Sequence, residues 1–169
     1  MTSLQAINTC TNEQFIDLFG GIFEHSPWIA QKAASARPFI TLQAVFDQMQ
    51  NIVEASPYVD QLRLILKHPE LGTRLAMSDS SVAEQAGAGL DALIPEEFKR
   101  MTQLNKLYTE KFNFPFIIAV AGLNKQQIMK EMERRLLLDV DTEFKTALLE
   151  IYKIARIRFT AIIEQRVNS

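Results

Sequence analysis

The sequence predicts an all-α protein, a single-domain bundle of about seven or eight helices of unequal length. Apolar residues recur at spacings of three and four along most of the 169-residue chain, which is the period of an amphipathic helix. No alternating run is long enough for a sheet, and no internal repeat or Ser/Gly-rich linker divides the chain. We therefore expect one domain over residues 1–169, with a hydrophobic content of 47% that is ordinary for a globular protein.

Residues that favour helix starts locate the individual helices. Thr11 and Thr41 each precede an apolar stripe, and Thr11 has Gln14 at the spacing of a capping box. Pro57 precedes the next stripe, and Pro95 suits the first position of a long later helix. The other expected helix starts are Ser81, Asn124 and Asp141.

Charge and composition argue against several classes of protein. The net charge of -2 provides no basic field for nucleic acid, so an anionic substrate would need local cations. No apolar run approaches the roughly 20 residues that cross a bilayer, and we see no signal peptide. With Cys10 as the only cysteine, the chain can form no internal disulfide, and we expect a cytoplasmic protein. Neither a metal site nor an organic cofactor is expected, because zinc-binding motifs and Gly-rich phosphate loops are missing.

His68 is the first candidate for chemistry. It stands directly before Pro69, and a proline disfavours helical backbone at its predecessor, so we expect His68 at a helix end. Histidine has an ordinary pKa of roughly 6.5, which suits a general acid or base. The alternative is a histidine that only interacts with the helix dipole.

A second candidate region begins at Ser81. Ser81 and Glu84 have the spacing of a capping box, which is a sufficient structural reason for both. Gln85 follows directly, and the small residues 86–89 would allow a close approach of a ligand or of another backbone. The pattern therefore permits either a helix cap or a polar ligand site.

Two further candidates lie later in the chain. Phe114 to Ile118 is expected to be a buried irregular segment, whose backbone groups need hydrogen-bond partners that a polar ligand or ordinary tertiary contacts would supply. Arg156 and Arg158 are two apart on the last helix, so at most one should face a common pocket. Either a carboxylate clamp or a surface arginine fits that position.

Three blocks of sequence, in order, resemble the 2-oxo-4-hydroxy-4-carboxy-5-ureidoimidazoline (OHCU) decarboxylase family. They are His68-Pro69-Glu70-Leu71, Ser81-x-x-Glu84-Gln85-x-x-Ala88-Gly89-Leu90, and Asn105-x-x-Tyr108-x-x-x-Phe112-x-Phe114-Pro115-Phe116. Shorter similarities are Ser26-Pro27-Trp28, Arg37-Pro38-Phe39 and Ile154-x-x-x-Arg158. The similarity spans nearly the whole chain. One departure is Asn113, where the family commonly has Gly; asparagine tolerates positive φ best among the other residues.

The resemblance implies an all-α, cofactor-independent lyase, often dimeric, that converts an anionic ureidoimidazoline to (S)-allantoin in urate breakdown. It implies catalytic roles for His68 and Glu84. The implied substrate-binding residues are Pro69, Ser81, Gln85, Phe116, Ile117, Ile118 and Arg158. Two alternatives remain from the residues alone: a non-catalytic helical binding module, and a helical hydrolase that uses His68 and Glu84 with a water.

Overall fold

The computed structural model describes residues 3–72 and 78–165, and within them the protein is all-α, with nine helices and no strand. The predicted fold class is confirmed. The helices are α1 (Leu4–Thr9), α2 (Asn12–Phe19), α3 (Trp28–Ala34), α4 (Leu42–Ala55), α5 (Tyr58–Leu66), α6 (Asp79–Gly87), α7 (Pro95–Phe112), α8 (Lys125–Arg135) and α9 (Val140–Gln165). None of the helices in the described residues combines the length and the apolar character needed to span a membrane.

Several predicted helix starts are confirmed by their caps. The Thr11 hydroxyl accepts from the Gln14 backbone N–H at 3.1 Å, and the Gln14 side-chain oxygen accepts from the Thr11 backbone N–H at 2.9 Å. Together the two bonds form a capping box. Thr41 caps α4, and Asn124 caps α8 in the same way. Pro95 is the first residue of α7. The two helices without a predicted start are α1 and α3, whose six and seven residues give too few apolar repeats to identify.

Two predicted starts were wrong. Helix α6 begins at Asp79 because Ser78, and not Ser81, is its cap: the Ser81 backbone N–H donates to the Ser78 hydroxyl at 3.1 Å. Helix α9 begins at Val140, and the Asp139 carboxylate accepts from the Thr142 backbone N–H at 2.8 Å. In both places several Ser, Thr or Asp residues stand in a short run, so spacing alone does not identify the cap.

The chain forms two compact units. The first unit contains the described residues up to Leu64 together with those from Tyr152 onward. Its core includes the Phe159 ring, which lies 5.4 Å from the Phe19 ring and 5.7 Å from the Phe46 ring. Buried apolar side chains from α2, α4 and the end of α9 therefore hold this unit together.

The second unit runs from Ile65 to Ile151. Its core centres on the buried ring of Tyr108, which lies 4.4 Å from the Phe112 ring and 5.3 Å, edge to face, from the Phe116 ring. These aromatic contacts join α7 to the irregular segment that follows it. This unit contains every proposed site residue except Arg158.

Candidate active site

His68 lies just beyond the end of α5, as predicted. Its backbone N–H donates to the Ile65 carbonyl at 3.1 Å, which closes the last turn of the helix. The residue is buried, with 8% of its surface exposed, and Pro69 beside it is half-buried. A buried imidazole at a helix end has both a fixed position and a restricted solvent shell, which a general acid or base requires.

The backbone that follows His68 is fixed by two helices. The Asn105 amide of α7 donates to the Leu71 carbonyl at 2.8 Å, and the Thr109 hydroxyl donates to the Glu70 carboxylate at 3.2 Å. The Gly72 N–H donates to the Gln85 side-chain oxygen at 3.0 Å, which links this segment to α6. Two of these bonds are to backbone groups, those of Leu71 and Gly72, so they restrain the backbone that follows His68.

Helix α6 presents a polar face instead of an apolar one. Ser81 and Gln85, four residues apart, are 5% and 6% exposed, and Glu84 between them is half-buried. The predicted capping box of Ser81 and Glu84 is wrong, because Ser78 has that role. Helix capping therefore does not account for Ser81 and Glu84, while the Gln85 side chain accepts from the Gly72 N–H.

The small residues at the end of α6 serve backbone geometry. Gly89 adopts φ +81, and the Leu90 N–H donates to the Gln85 carbonyl at 2.9 Å, which is the usual left-handed end of a helix. A Cβ atom added at Gly87 or Gly89 would meet nothing within 4 Å. Within the described part of the chain, therefore, no neighbouring group packs closely against these two glycines.

The residues from Phe114 to Ile118 are buried and irregular, as predicted. Asn113 ends α7 with φ 60 and ψ 25, so it takes the left-handed turn expected of the family's usual glycine. Two protein side chains bond the backbone that follows. The Arg135 guanidinium donates to the Ile117 carbonyl at 2.7 Å, and the Ala119 N–H donates to the Glu150 carboxylate at 3.0 Å.

Arg135 belongs to a buried polar cluster that the sequence did not predict. Its Nε donates to Glu143 Oε1 at 2.8 Å, and the Tyr108 hydroxyl donates to the same oxygen at 2.6 Å. Arg135 and Glu143 are 1% and 0% exposed. Burial, with the Glu143 carboxylate beside it, raises the pKa of the Tyr108 hydroxyl well above its usual range, so the hydroxyl stays protonated.

Arg158 lies in the first unit, where it is buried. Its Nη2 donates to a Glu24 carboxylate oxygen at 3.0 Å, and its Nη1 donates to the Gly21 carbonyl at 3.4 Å. Arg156 has different surroundings: it donates to the Gln43 side chain at 2.8 Å and is partly exposed. The two arginines face different sides of α9, as predicted. The buried partner Glu24 was missed, because Glu24 lies in a turn-rich segment without helical periodicity.

No three His, Cys, Asp or Glu side chains are grouped to hold a metal ion within residues 3–72 and 78–165. His25 has φ 45, and its Nε2 lies 3.4 Å from a Glu24 carboxylate oxygen. Among the described residues of the second unit, the buried polar and charged side chains include those of His68, Ser81, Gln85, Asn105, Arg135 and Glu143.

The second unit contains a buried histidine beside a helix end and a polar helix face. The chain is therefore a helical protein with groups suited to acid–base chemistry. The sequence profile of OHCU decarboxylase matches residues 8–160. This chain belongs to the OHCU decarboxylase family.

Named relatives agree with the family. The chain is 43% identical over 156 residues to the 2-oxo-4-hydroxy-4-carboxy-5-ureidoimidazoline decarboxylase of Haloferax volcanii, an alignment that covers 92% of this chain and 93% of that protein. It is 44% identical over 166 residues to the uric acid degradation bifunctional protein PucL of Bacillus subtilis. That alignment covers 98% of this chain and only 34% of the bifunctional protein, so the chain spans about a third of that relative.

Solved structures agree with the fold. The crystal structure of (S)-allantoin synthase has a TM-score of 0.75 at 24% identity, covering 95% of this chain and 54% of that one. The crystal structure of OHCU decarboxylase in the presence of (S)-allantoin has a TM-score of 0.72 at 20% identity, covering 92% of this chain and 99% of that one. At these identities the likeness supports the helical fold.

Proposed function

We propose that this protein is a carboxy-lyase that decarboxylates OHCU to (S)-allantoin in urate breakdown. The observation that carries the proposal is the polar face of α6. Ser81 and Gln85 are buried and Glu84 is half-buried, and Ser78 takes the capping role that would otherwise explain Ser81 and Glu84. Membership of the OHCU decarboxylase family supports a role for this face in binding the substrate.

The proposed reaction has two steps, decarboxylation and protonation. The bond between the ring and the carboxyl carbon breaks, carbon dioxide leaves, and the electron pair stays on the ring as a carbanion or enolate. The ring hydroxyl gives its proton to a ring nitrogen as it becomes the enolate oxygen, and a proton is then added to the neighbouring ring carbon. Delivery of that proton to one face gives a single enantiomer. A fixed active site supplies both the stabilisation of charge and the choice of face.

The proposed catalytic roles follow from the groups present. His68 is the general acid or base: it polarises an oxygen or delivers the proton, because imidazole exchanges protons near neutral pH. The Glu84 carboxylate accepts a hydrogen bond from the substrate hydroxyl or from a ring N–H and so fixes the ring before His68. The proposed reaction uses these side chains without a metal or an organic cofactor.

The proposed binding residues come from several segments of the chain. Ser81 and Gln85 hydrogen-bond the polar ring from α6, Pro69 borders it beside His68, and the segment Phe116 to Ile118 contacts it through backbone groups. Arg158 is proposed as the cation for the anionic substrate, since its planar fork matches a carboxylate and it corresponds to the family's arginine. A net charge of -2 makes such a dedicated cation necessary.

The proposal also covers the oligomeric state of the protein and its location in the cell. We propose a homodimer, as in much of the family, and a cytoplasmic location, which suits a chain with one cysteine and a small soluble metabolite as substrate. Size-exclusion chromatography with light scattering tests the first of these. A mass equal to one chain at micromolar concentration would contradict the dimer.

The function is tested by mixing the protein with freshly generated OHCU and measuring released carbon dioxide. We expect release well above the rate of the protein-free control, since the substrate is unstable in water. Consumption of substrate by water addition, without carbon dioxide, would favour the helical hydrolase. Saturable binding without accelerated consumption would favour the non-catalytic binding module.

A further inference from the structure

The buried cluster of Tyr108, Arg135 and Glu143 has no role in the proposed reaction, and stability is a weak reason for burying it. Burying a charged pair costs desolvation that its attraction and hydrogen bonds only roughly offset, so apolar side chains of equal volume would serve the core at least as well. In addition, Arg135 Nη2 has no hydrogen-bond partner in the part of the chain that the structure describes, which adds to the cost. We therefore looked for a role of the cluster in the contacts that Arg135 makes.

Arg135 contacts two consecutive residues of the segment that follows α7. Its Nη1 donates to the Ile117 carbonyl at 2.7 Å, and its guanidinium carbon lies 4.3 Å from the centre of the Phe116 ring. The peptide between Ile117 and Ile118 is planar and trans, so its C=O and N–H point in opposite directions. A carbonyl held toward Arg135 therefore fixes the Ile118 N–H in the direction away from Arg135.

We propose that Arg135, held in place by Glu143 and Tyr108, is a positioning residue that orients the Ile117–Ile118 peptide so that the Ile118 N–H donates to the substrate ring. The proposal rests on the proposed function, in which this segment contacts the ring through its backbone. Glu143 fixes the guanidinium through Nε and leaves Nη1 for the Ile117 carbonyl. The aromatic ring of Phe116 limits tilting of the guanidinium plane.

The first test compares Arg135→Lys with Arg134→Lys. A lysine at 135 keeps the positive charge, but one ammonium nitrogen cannot occupy the positions of both Nε and Nη1. Arg134 is the matched control, because it is the neighbouring residue, receives the same change, and pairs at the surface with Glu131. Melting temperature and circular dichroism identify which variants are folded.

A backbone hydrogen bond to the ring is present in the ground state and in the transition state alike. Its loss should therefore raise KM and leave kcat nearly unchanged. We expect Arg135→Lys to raise KM about tenfold, which is the loss of one ordinary hydrogen bond, with kcat within about threefold of wild type. Arg134→Lys should match wild type in both constants. An unchanged KM in folded Arg135→Lys, or an equal rise in Arg134→Lys, would overturn the proposal.

The second measurement does not require turnover. In protein labelled with ¹⁵N at isoleucine, titration with (S)-allantoin should shift the Ile118 amide resonance of wild type and of Arg134→Lys. In Arg135→Lys that response should be lost. A wild-type protein that releases carbon dioxide, with the same Ile118 response in Arg135→Lys, overturns the positioning role alone. A wild-type protein with neither turnover nor an Ile118 response overturns both proposals.

A milder variant decides the matter if Arg135→Lys does not fold. Tyr108→Phe keeps the buried ring and removes only the hydroxyl that donates to Glu143 at 2.6 Å. Because Arg135 then keeps its bonds to Glu143 and to the Ile117 carbonyl, we expect KM to rise only about two- to threefold, as for a partly weakened hydrogen bond. A KM and an Ile118 amide response both equal to those of wild type would overturn the proposal.

Discussion

Helix α6 and the segment from Phe114 to Ile118 provide polar groups in two different ways. The helix provides side chains, namely those of Ser81, Glu84 and Gln85 on one buried face. The segment is apolar in its side chains and has only its backbone to offer. A side chain can be recognised in a sequence and removed by mutation, whereas a backbone group depends on residues elsewhere that hold it.

Substitutions in the two regions should therefore have different effects. Substitutions in α6 and at His68 should lower catalytic activity and leave the fold intact. Changes near the irregular segment should act indirectly, through Arg135 and Glu150, which bond its backbone. The predictions that follow test this division, beginning with the largest effect.

His68→Asn removes the proposed acid or base and keeps a polar side chain of similar size. Turnover should fall by about 10²- to 10⁴-fold, the usual contribution of a positioned acid or base. The variant should still fold, because the backbone bond from the His68 N–H to the Ile65 carbonyl is kept. Steady-state rates and thermal melts of the same preparation measure both quantities. Near wild-type turnover in folded His68→Asn would remove His68 from the mechanism.

Glu84→Gln tests whether the α6 side chains act in chemistry. Since Ser78 caps the helix, the substitution should have little effect on stability, while turnover should fall by about 10²-fold as the charged acceptor is lost. Glu96→Gln, an exposed change at the start of α7, is a matched control that should leave turnover unchanged. A loss of stability with turnover retained per folded molecule would return Glu84 to a structural role.

Arg158→Lys tests whether a buried guanidinium of the first unit contributes to substrate binding. The charge is kept but the planar fork is lost, so substrate binding or turnover should weaken by about 1.5–3 kcal/mol, roughly tenfold to 150-fold. Arg156→Lys is the control two residues earlier, where the side chain is partly exposed and bonds Gln43. If Arg156→Lys were the damaging change, the substrate cation would be the neighbouring arginine.

Ser78→Ala and Ser81→Ala separate capping from binding within one turn of α6. Loss of the Ser78 cap should lower the free energy of unfolding by about 1 kcal/mol and leave turnover per folded molecule unchanged. Ser81→Ala should show the opposite pattern, with stability retained and KM raised. Denaturant unfolding and KM, measured on both variants, test the pair. Equal destabilisation with no change in KM would show that Ser81 shares the structural role.

The sequence predicted most of the fold, because helix starts and apolar periodicity are local properties. Thr11, Thr41, Pro95 and Asn124 were identified by residue type and spacing alone. The start of α6 was misplaced because Ser78 and Ser81 are both good caps, and only the backbone geometry distinguishes them. The short helices α1 and α3 were missed because periodicity needs more than two turns to be visible.

The candidate site was only partly predictable. His68, Ser81 and Arg158 were singled out by their surroundings in the sequence or by the resemblance to the family. Arg135 was not, because it adjoins Arg134 and the two differ only in burial, which depends on Glu143 and on a carbonyl 18 residues away. The sequence also showed which residues would be apolar in the irregular segment, but not what would bond its backbone.

The most direct test of the central claim is the optical activity of the product formed from freshly generated OHCU. Uncatalysed decay takes its proton from water on either face and gives a racemic product. If a fixed site delivers the proton, wild-type protein should give (S)-allantoin in large excess, with the signal appearing faster than spontaneous decay. A racemic product, formed no faster than without protein, would contradict the account.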